Sequence, residues 1–166
     1  KVGEAMKLYF IRHGIAEDNA HTGHAADDFS RRLTERGAER VKTAAKVLAK
    51  LGLKPAHIYS SPRVRARQTA DIIAKALGVE VEEREEVNFG FDLKQLEKLL
   101  EGAAEDDEIV LVGHEPTFST TLRELTGGEV EMKKGGCARV DAETEPMLHG
   151  TLVWLIAPKV FDALGE

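Results

Sequence analysis

The amino-acid sequence predicts an α/β protein, a three-layer α/β/α sandwich whose sheet is mostly parallel with an antiparallel edge. Short apolar runs alternate with segments of helical periodicity over most of the chain. Two of these runs, Leu8–Ile11 and Ile109–Val112, are apolar or aromatic at every position, which is typical of strands buried on both faces. Near the end, two strands around Ala138–Val140 and Thr151–Ile156 follow each other directly, and we expect an antiparallel hairpin there.

Length and composition indicate one globular domain. The chain has 166 residues, of which 42% are hydrophobic and 31% charged, as in folded proteins with a core of ordinary size. We expect the domain to span residues 6–166, with residues 1–5 an upstream extension or a cloning remnant. The net charge of −6 disfavours nucleic acid or an anionic membrane as the main partner. A single cysteine and the absence of a long apolar stretch predict a cytoplasmic protein, and we expect a monomer.

The predicted helices and the remaining strands can be taken in chain order. The loop at residues 15–32 precedes a first helix, which is capped by Thr34 and stops at Gly52. After a strand at residues 57–60, Ser61 as N-cap and Pro62 as first helical residue open a second helix, which stops at Gly78. An edge strand is predicted at residues 79–84 and a loop at 85–90. A third helix carries Leu93, Leu96, Leu99 and Leu100. A fourth helix starts at Pro116 and carries Phe118, Leu122 and Leu125.

Both buried-looking strands are followed by a histidine. Arg12, His13 and Gly14 follow the first strand, and Gly113 and His114 follow the later one. Gly14 permits a tight or left-handed turn off the sheet edge. Because ligands of open α/β sheets bind beyond the carboxyl ends of the strands, we expect both imidazoles to line one crevice if these strands are neighbours.

The crevice has the residues of a phosphate site. Arg63, Arg65 and Arg67 lie in the first turns of the second helix, and at least one of them should reach the two histidines. Guanidinium groups bind phosphate oxygens bidentately, and a neutral histidine among such cations is a nucleophile toward phosphorus. No metal is required. His21 and His24 are spaced like metal ligands, but no further cluster supports a zinc site.

Three motifs resemble those of the histidine phosphatase superfamily, the fold of cofactor-dependent phosphoglycerate mutases and histidine acid phosphatases. They are Arg12-His13-Gly14, residues 61–70 (SPRVRARQTA) and residues 112–116 (VGHEP), in the family's order. The resemblance extends from residue 7 to residue 156 and implies a phosphoglycerate mutase-like fold.

The resemblance also implies a role for each matching residue. His13 would be the phosphate acceptor, and Arg12, Arg65 and His114 would complete the phosphate pocket. Arg65 is chosen among the three arginines because the family's pattern has arginine directly before alanine, and Ala66 follows it. Arg63 and Arg67 are then expected on a solvated helix face.

The proton donor to the leaving group is less well marked. Mutase-like members use a glutamate in a middle loop, and Glu86 matches best because Val87 and Asn88 follow it. The alternatives are Glu85, Glu17 and Asp18.

The small size of the chain and its Ile15-Ala16-Glu17 continuation resemble the SixA-type phosphohistidine phosphatases. This implies a metal-independent, cofactor-free phosphatase that acts through a phosphohistidine on His13, with phosphohistidine of a signalling phosphotransfer protein as substrate. Residues 77–109 leave little chain for a lid, which favours a protein substrate. The alternatives are a phosphatase for small phosphoesters and a phosphate-binding module without catalysis.

Overall fold

The computed structural model of the chain describes residues 5–18 and 27–165. The elements in chain order are β1 (Met6–Arg12), α1 (Glu35–Lys50), β2 (His57–Ser60), α2 (Val64–Leu77), β3 (Val81–Glu83), a 3₁₀ turn (Glu85–Val87), α3 (Leu93–Leu100), β4 (Glu108–Gly113), α4 (Thr117–Thr126), β5 (Cys137–Glu143), β6 (His149–Ile156) and α5 (Pro158–Leu164).

The strands form one six-stranded sheet in the order β3-β2-β4-β1-β5-β6. The neighbours from β3 to β1 are parallel, whereas β5 runs antiparallel to β1 and to β6. The predicted sheet, mostly parallel with an antiparallel edge, is therefore confirmed. In the β1–β4 pair Arg12 lies opposite Gly113, so the two strands end at the same level. His13 and His114 consequently leave the sheet side by side.

Alternate residues of β1 face two different helical layers, because strand side chains point to opposite faces of a sheet. Leu8 and Phe10 pack in one core with residues of α3 and α4. Tyr9 and Ile11 pack in the other core with residues of α1, α2 and α5. Phe10 is fully buried, with its ring edge-on to that of Phe118 at 5.3 Å between centroids. These two cores confirm the predicted three-layer sandwich.

The starts of the first two helices differ in how well the sequence predicted them. Thr34 caps α1 as expected, with Oγ1 accepting a hydrogen bond from the Gly37 amide at 2.9 Å. The prediction that Ser61 caps α2 is wrong, because α2 begins at Val64 with Arg63 as N-cap. Ser61 still continues the sheet, since its amide donates to the Val112 carbonyl at 3.0 Å.

Helix α5 was not predicted from the sequence. Pro158 occupies its first turn, Phe161 is buried against the α1 layer, and Asp162 pairs with Arg40 at 2.8 Å. Its seven residues are too few to display helical periodicity, and Pro158 at the first position was the available signal.

Candidate active site

The carboxyl ends of β1, β2 and β4 and the first turn of α2 bring His13, Ser61, Arg65 and His114 together, and we call the space that these side chains border the pocket. The rings of His13 and His114 lie 5.4 Å apart between centroids. His13 is 6% exposed and His114 is 1% exposed, so both imidazoles are removed from water. The sequence-based expectation that the two histidines converge rested on β1 and β4 being neighbours, and they are.

The hydrogen bonds of His13 fix where its proton sits. Nδ1 lies 2.7 Å from the carbonyl oxygen of Gly14, and because a carbonyl only accepts, Nδ1 carries the hydrogen. Nε2 therefore keeps its lone pair, which accepts a bond of 3.3 Å from Arg65 Nε. Burial, reinforced by the charges of Arg65 and Arg12, lowers the pKa of His13 to about 4. At neutral pH the imidazole is thus uncharged, with an unprotonated Nε2 facing Arg65.

Gly14 and Thr69 hold the turn after β1 against α2. The Gly14 amide donates to Thr69 Oγ1 at 3.1 Å, and that hydroxyl donates to the Arg65 carbonyl at 2.8 Å. Of the two predicted alternatives, a tight turn or a left-handed one, the left-handed conformation is absent, because Gly14 has no positive φ. Its lack of a side chain is needed for space, since a Cβ there would lie 2.8 Å from Val41 Cγ2.

His114 has one ring nitrogen engaged and one free. Nε2 lies 2.8 Å from Ser61 Oγ, while Nδ1 is buried and has no hydrogen-bond partner. Burial, together with the charges of His13 and Arg65, lowers the pKa of His114 to about 3. The Phe89 ring lies edge-on to the imidazole at 4.9 Å.

Arg12 is held in a similar way. One terminal nitrogen donates to the Met132 carbonyl at 2.8 Å, while Nε is buried without a partner. Over residues 5–18 and 27–165, the buried side-chain nitrogen or oxygen atoms with no partner are Arg12 Nε and His114 Nδ1. Such atoms are costly when unpaired, and both belong to residues next to His13: Arg12 precedes it in the chain, and the His114 ring lies 5.4 Å from its own.

Arg63 corrects one sequence-based expectation. It was expected on a solvated helix face, but its side chain is only 17% exposed and lies at the pocket. Its Nε donates to Asn88 Oδ1 at 2.7 Å, and one terminal nitrogen donates to Asp28 Oδ2 at 2.7 Å. Its guanidinium carbon lies 3.6 Å from the centroid of the Phe89 ring. The pocket therefore has a third arginine near its two histidines.

Arg67, by contrast, follows its prediction. It forms surface ion pairs with Asp71 at 2.9 Å and Glu83 at 3.1 Å. Arg65 is 3% exposed and faces His13. Arg65, which the sequence analysis chose among the arginines of α2, is the one whose side chain donates a hydrogen bond to His13.

Glu86 lies in the 3₁₀ turn, where both carboxylate oxygens accept hydrogen bonds from Arg84 at 3.1 and 3.3 Å. These bonds hold the pKa of Glu86 below its ordinary value, which keeps it ionised and opposes a role as proton donor. Glu85 is linked to the pocket through Asn88, whose Nδ2 donates to it at 2.9 Å. The general acid stays a prediction, with Glu17 and Asp18 still open.

Within the described parts of the chain there is no group of three or more His, Cys, Asp or Glu side chains placed to hold a metal ion. His21 and His24 lie outside the described residues.

Comparison with known proteins agrees with this geometry. Residues 8–91 match the family model of the histidine phosphatase superfamily, branch 1. The chain belongs to the histidine phosphatase superfamily. It is 38% identical to an uncharacterized protein of Picosynechococcus sp., over 93% of this chain and 98% of the relative.

Two solved structures of the superfamily resemble this chain over almost its whole length. The protein histidine phosphatase SixA complexed with tungstate has a TM-score of 0.79 at 24% identity, over 93% of this chain and 98% of SixA. A protein of Agrobacterium tumefaciens assigned as the phosphohistidine phosphatase SixA has a TM-score of 0.75 at 25% identity, over 92% of this chain and 98% of its own. The chain is thus a SixA-like phosphatase of this superfamily with the phosphoglycerate mutase-like fold. No helix in the described residues has the length and apolar character to span a bilayer.

Proposed function

We propose that this protein is a metal-independent phosphatase that works through a phosphohistidine on His13 and dephosphorylates phosphohistidine in a signalling phosphotransfer protein. The observation that carries the proposal is the unprotonated Nε2 of His13, whose lone pair meets Arg65, next to a pocket with two buried, unpartnered polar atoms. A phosphoryl group in that pocket would offer acceptors to Arg12 and His114 and an electrophile to His13.

The proposed reaction has two steps. In the first, the Nε2 lone pair of His13 attacks phosphorus in line, and the bond between phosphorus and the leaving group breaks with its electron pair going to that group. In the second, water attacks the phosphorus of the phosphohistidine and gives up a proton to solvent, the P–N bond breaks, and Nε2 regains its lone pair as inorganic phosphate forms. Arg12, Arg65 and His114 stabilise the phosphoryl oxygens throughout both steps.

The leaving group supports phosphohistidine as the substrate. An alkyl phosphate expels a poor leaving group and depends on a proton donor, whereas the P–N bond of phosphohistidine is intrinsically labile. Glu86, the carboxyl group predicted to donate that proton, is bonded to Arg84 and kept ionised. Because Glu86 does not fit the role of proton donor, the site suits phosphohistidine better than an alkyl ester.

The shape of the chain around the pocket supports a protein substrate. Between α2 and β4 the chain forms β3, the 3₁₀ turn and α3, which leaves little length for a lid. Phe29 and Phe89 are 44% and 48% exposed, and Arg63 lies 5.7 and 3.6 Å from their ring centroids. The exposed aromatic rings beside Arg63 offer apolar contacts to a protein whose phosphorylated side chain enters the pocket. The cytoplasmic location and the monomeric state stay predictions.

The test is a comparison of substrates in the presence of a chelator. A phosphohistidine-bearing phosphotransfer protein, a sugar phosphate and a phosphoglycerate are assayed side by side for kcat/KM. We expect kcat/KM in the range of about 10⁴ M⁻¹s⁻¹ or higher for the phosphoprotein and much lower values for the other two. Turnover of a small phosphoester in that range with the phosphoprotein left intact would make the alternative, a small-phosphoester phosphatase, correct.

A further inference from the structure

The phosphate pocket already contains an anion that belongs to the chain. Asp28 Oδ2 accepts hydrogen bonds from Arg63 at 2.7 Å and from Arg65 at 3.1 Å. The backbone oxygen of Asp28 accepts a further bond from Arg65 at 2.9 Å. The other carboxylate oxygen, Oδ1, pairs with Arg31 at 3.0 Å. One carboxylate thus bridges three arginines.

This arrangement engages every nitrogen of the Arg65 guanidinium. Nε donates to His13, one terminal nitrogen donates to the Asp28 carbonyl, and the other donates to its carboxylate. Arg65 is the cation that the proposed function assigns to the substrate phosphate. Carboxylate and phosphate oxygens bind a guanidinium in the same fork geometry, so the two anions compete for it. Two anions in contact with one guanidinium would also repel each other.

We propose that Asp28 is an internal occupant of the phosphate pocket, which the incoming phosphoryl group displaces from Arg65 and which returns when inorganic phosphate leaves. This inference rests on the proposed function, because it takes the pocket to be the phosphate site. Asp28 thereby keeps Arg63 and Arg65 ordered in the free protein and weakens binding of the product phosphate.

Two features fit Asp28 for such an exchange. Its side chain is 33% exposed, so the carboxylate has room to turn toward solvent. Arg31 offers it a second partner, and the side chain of Arg31 is anchored independently of Asp28 because its Nε donates to the Glu17 carbonyl at 2.6 Å. Partial burial favours the neutral acid, but hydrogen bonds from Arg31 and Arg65 outweigh it and lower the pKa of Asp28. The carboxylate is therefore ionised at neutral pH and competes as an anion.

The experiment measures the dissociation constant of inorganic phosphate by isothermal titration calorimetry at neutral pH. We expect Asp28→Asn, and likewise Asp28→Ala, to bind phosphate about tenfold more tightly than the unaltered chain, because a competing charge-assisted pair is removed. Asp71→Asn is the matched control, since it removes the same charge from the surface partner of Arg67. Its dissociation constant should equal that of the unaltered chain. Circular dichroism confirms that each variant is folded.

The opposite result would overturn the inference. If Asp28 serves only to orient the arginines, phosphate binding by both Asp28 variants will weaken or stay the same. The proposed function is tested separately with Arg65→Ala, which should abolish phosphate binding. Phosphate binding that depends on Arg65 but does not tighten in the Asp28 variants refutes this inference alone. Phosphate binding that survives Arg65→Ala refutes both.

Discussion

Replacing Arg65 with alanine should remove most of the activity, whereas the same change at Arg67, two residues along the same helix, should be almost silent. Arg65 is 3% exposed and donates to Nε2 of His13, the proposed nucleophile. Arg67 is partly exposed and pairs with Asp71 and Glu83 on the surface. Both variants remove one positive charge from α2, so a difference between their activities reports the position of the arginine and not its charge.

The size of the effect follows from these contacts. Losing one preorganised donor to a developing anion costs roughly 10² to 10³ in kcat, and Arg65 presents three nitrogens to the pocket, so we expect a loss of about 10² or more. The Arg65→Ala protein should still fold, because Asp28 keeps its bonds to Arg31 and Arg63. Exposed ion pairs contribute about 0–1 kcal/mol, so Arg67→Ala should change kcat by no more than about twofold.

The assay is steady-state hydrolysis of an aryl phosphate, which needs no knowledge of the natural substrate. Thermal unfolding of both variants, followed by circular dichroism, separates loss of activity from loss of fold. Equal losses of kcat in the two variants, or an Arg65→Ala protein with near-normal kcat, would refute the assignment of Arg65 to the phosphate pocket.

Three other predictions concern the two buried histidines, the packing of Gly113 and the exposed ring of Phe29. Burial lowers the pKa of His13 to about 4 and that of His114 to about 3. In the unfolded chain a histidine has a pKa near 6.5, so below about pH 6.5 the unfolded state binds more protons than the folded state. Urea unfolding should therefore show stability falling as pH drops from about 7 to 4, by as much as about 3 kcal/mol for each histidine; a flat profile would contradict this. Gly113→Ala places a Cβ 2.7 Å from the Phe118 ring and should cost about 1–3 kcal/mol in chemical denaturation, and an unchanged midpoint would count against this packing. Phe29→Ala should lower kcat/KM for a phosphohistidine protein about tenfold and leave aryl phosphate hydrolysis unchanged, and equal effects on both would exclude a docking role.

Features of the site that depend on a few consecutive residues could be predicted from the sequence. Apolar runs ending in Arg12-His13-Gly14 and Gly113-His114 marked buried strands with polar ends, and parallel pairing of β1 and β4 brings those ends together. Arg65 could be singled out because it lies in a motif at the start of α2, and the structure places it against His13. These predictions needed only local pattern and the rule that parallel strands end at one edge.

The remaining features depend on contacts between distant segments. Arg63 enters the pocket because Asp28 and Asn88, which lie 35 and 25 residues away in the sequence, accept its hydrogen bonds. Nothing in the polar loop after β1 distinguished Asp28 from its acidic neighbours. Glu86 matched a family pattern by the residues around it, but its ion pair with Arg84 depends on the conformation of the 3₁₀ turn.

Trapping the covalent intermediate tests the central claim most directly. The protein is mixed with an aryl phosphate or phosphohistidine protein carrying labelled phosphate, quenched in base within one turnover, and digested for mass spectrometry. His13 is the expected site, because its Nε2 is unprotonated in a neutral ring held by the Gly14 carbonyl. We predict an acid-labile, base-stable phosphate on His13 that is absent from His13→Ala, which should also be inactive. Label on another residue, or full activity of His13→Ala, would contradict the account.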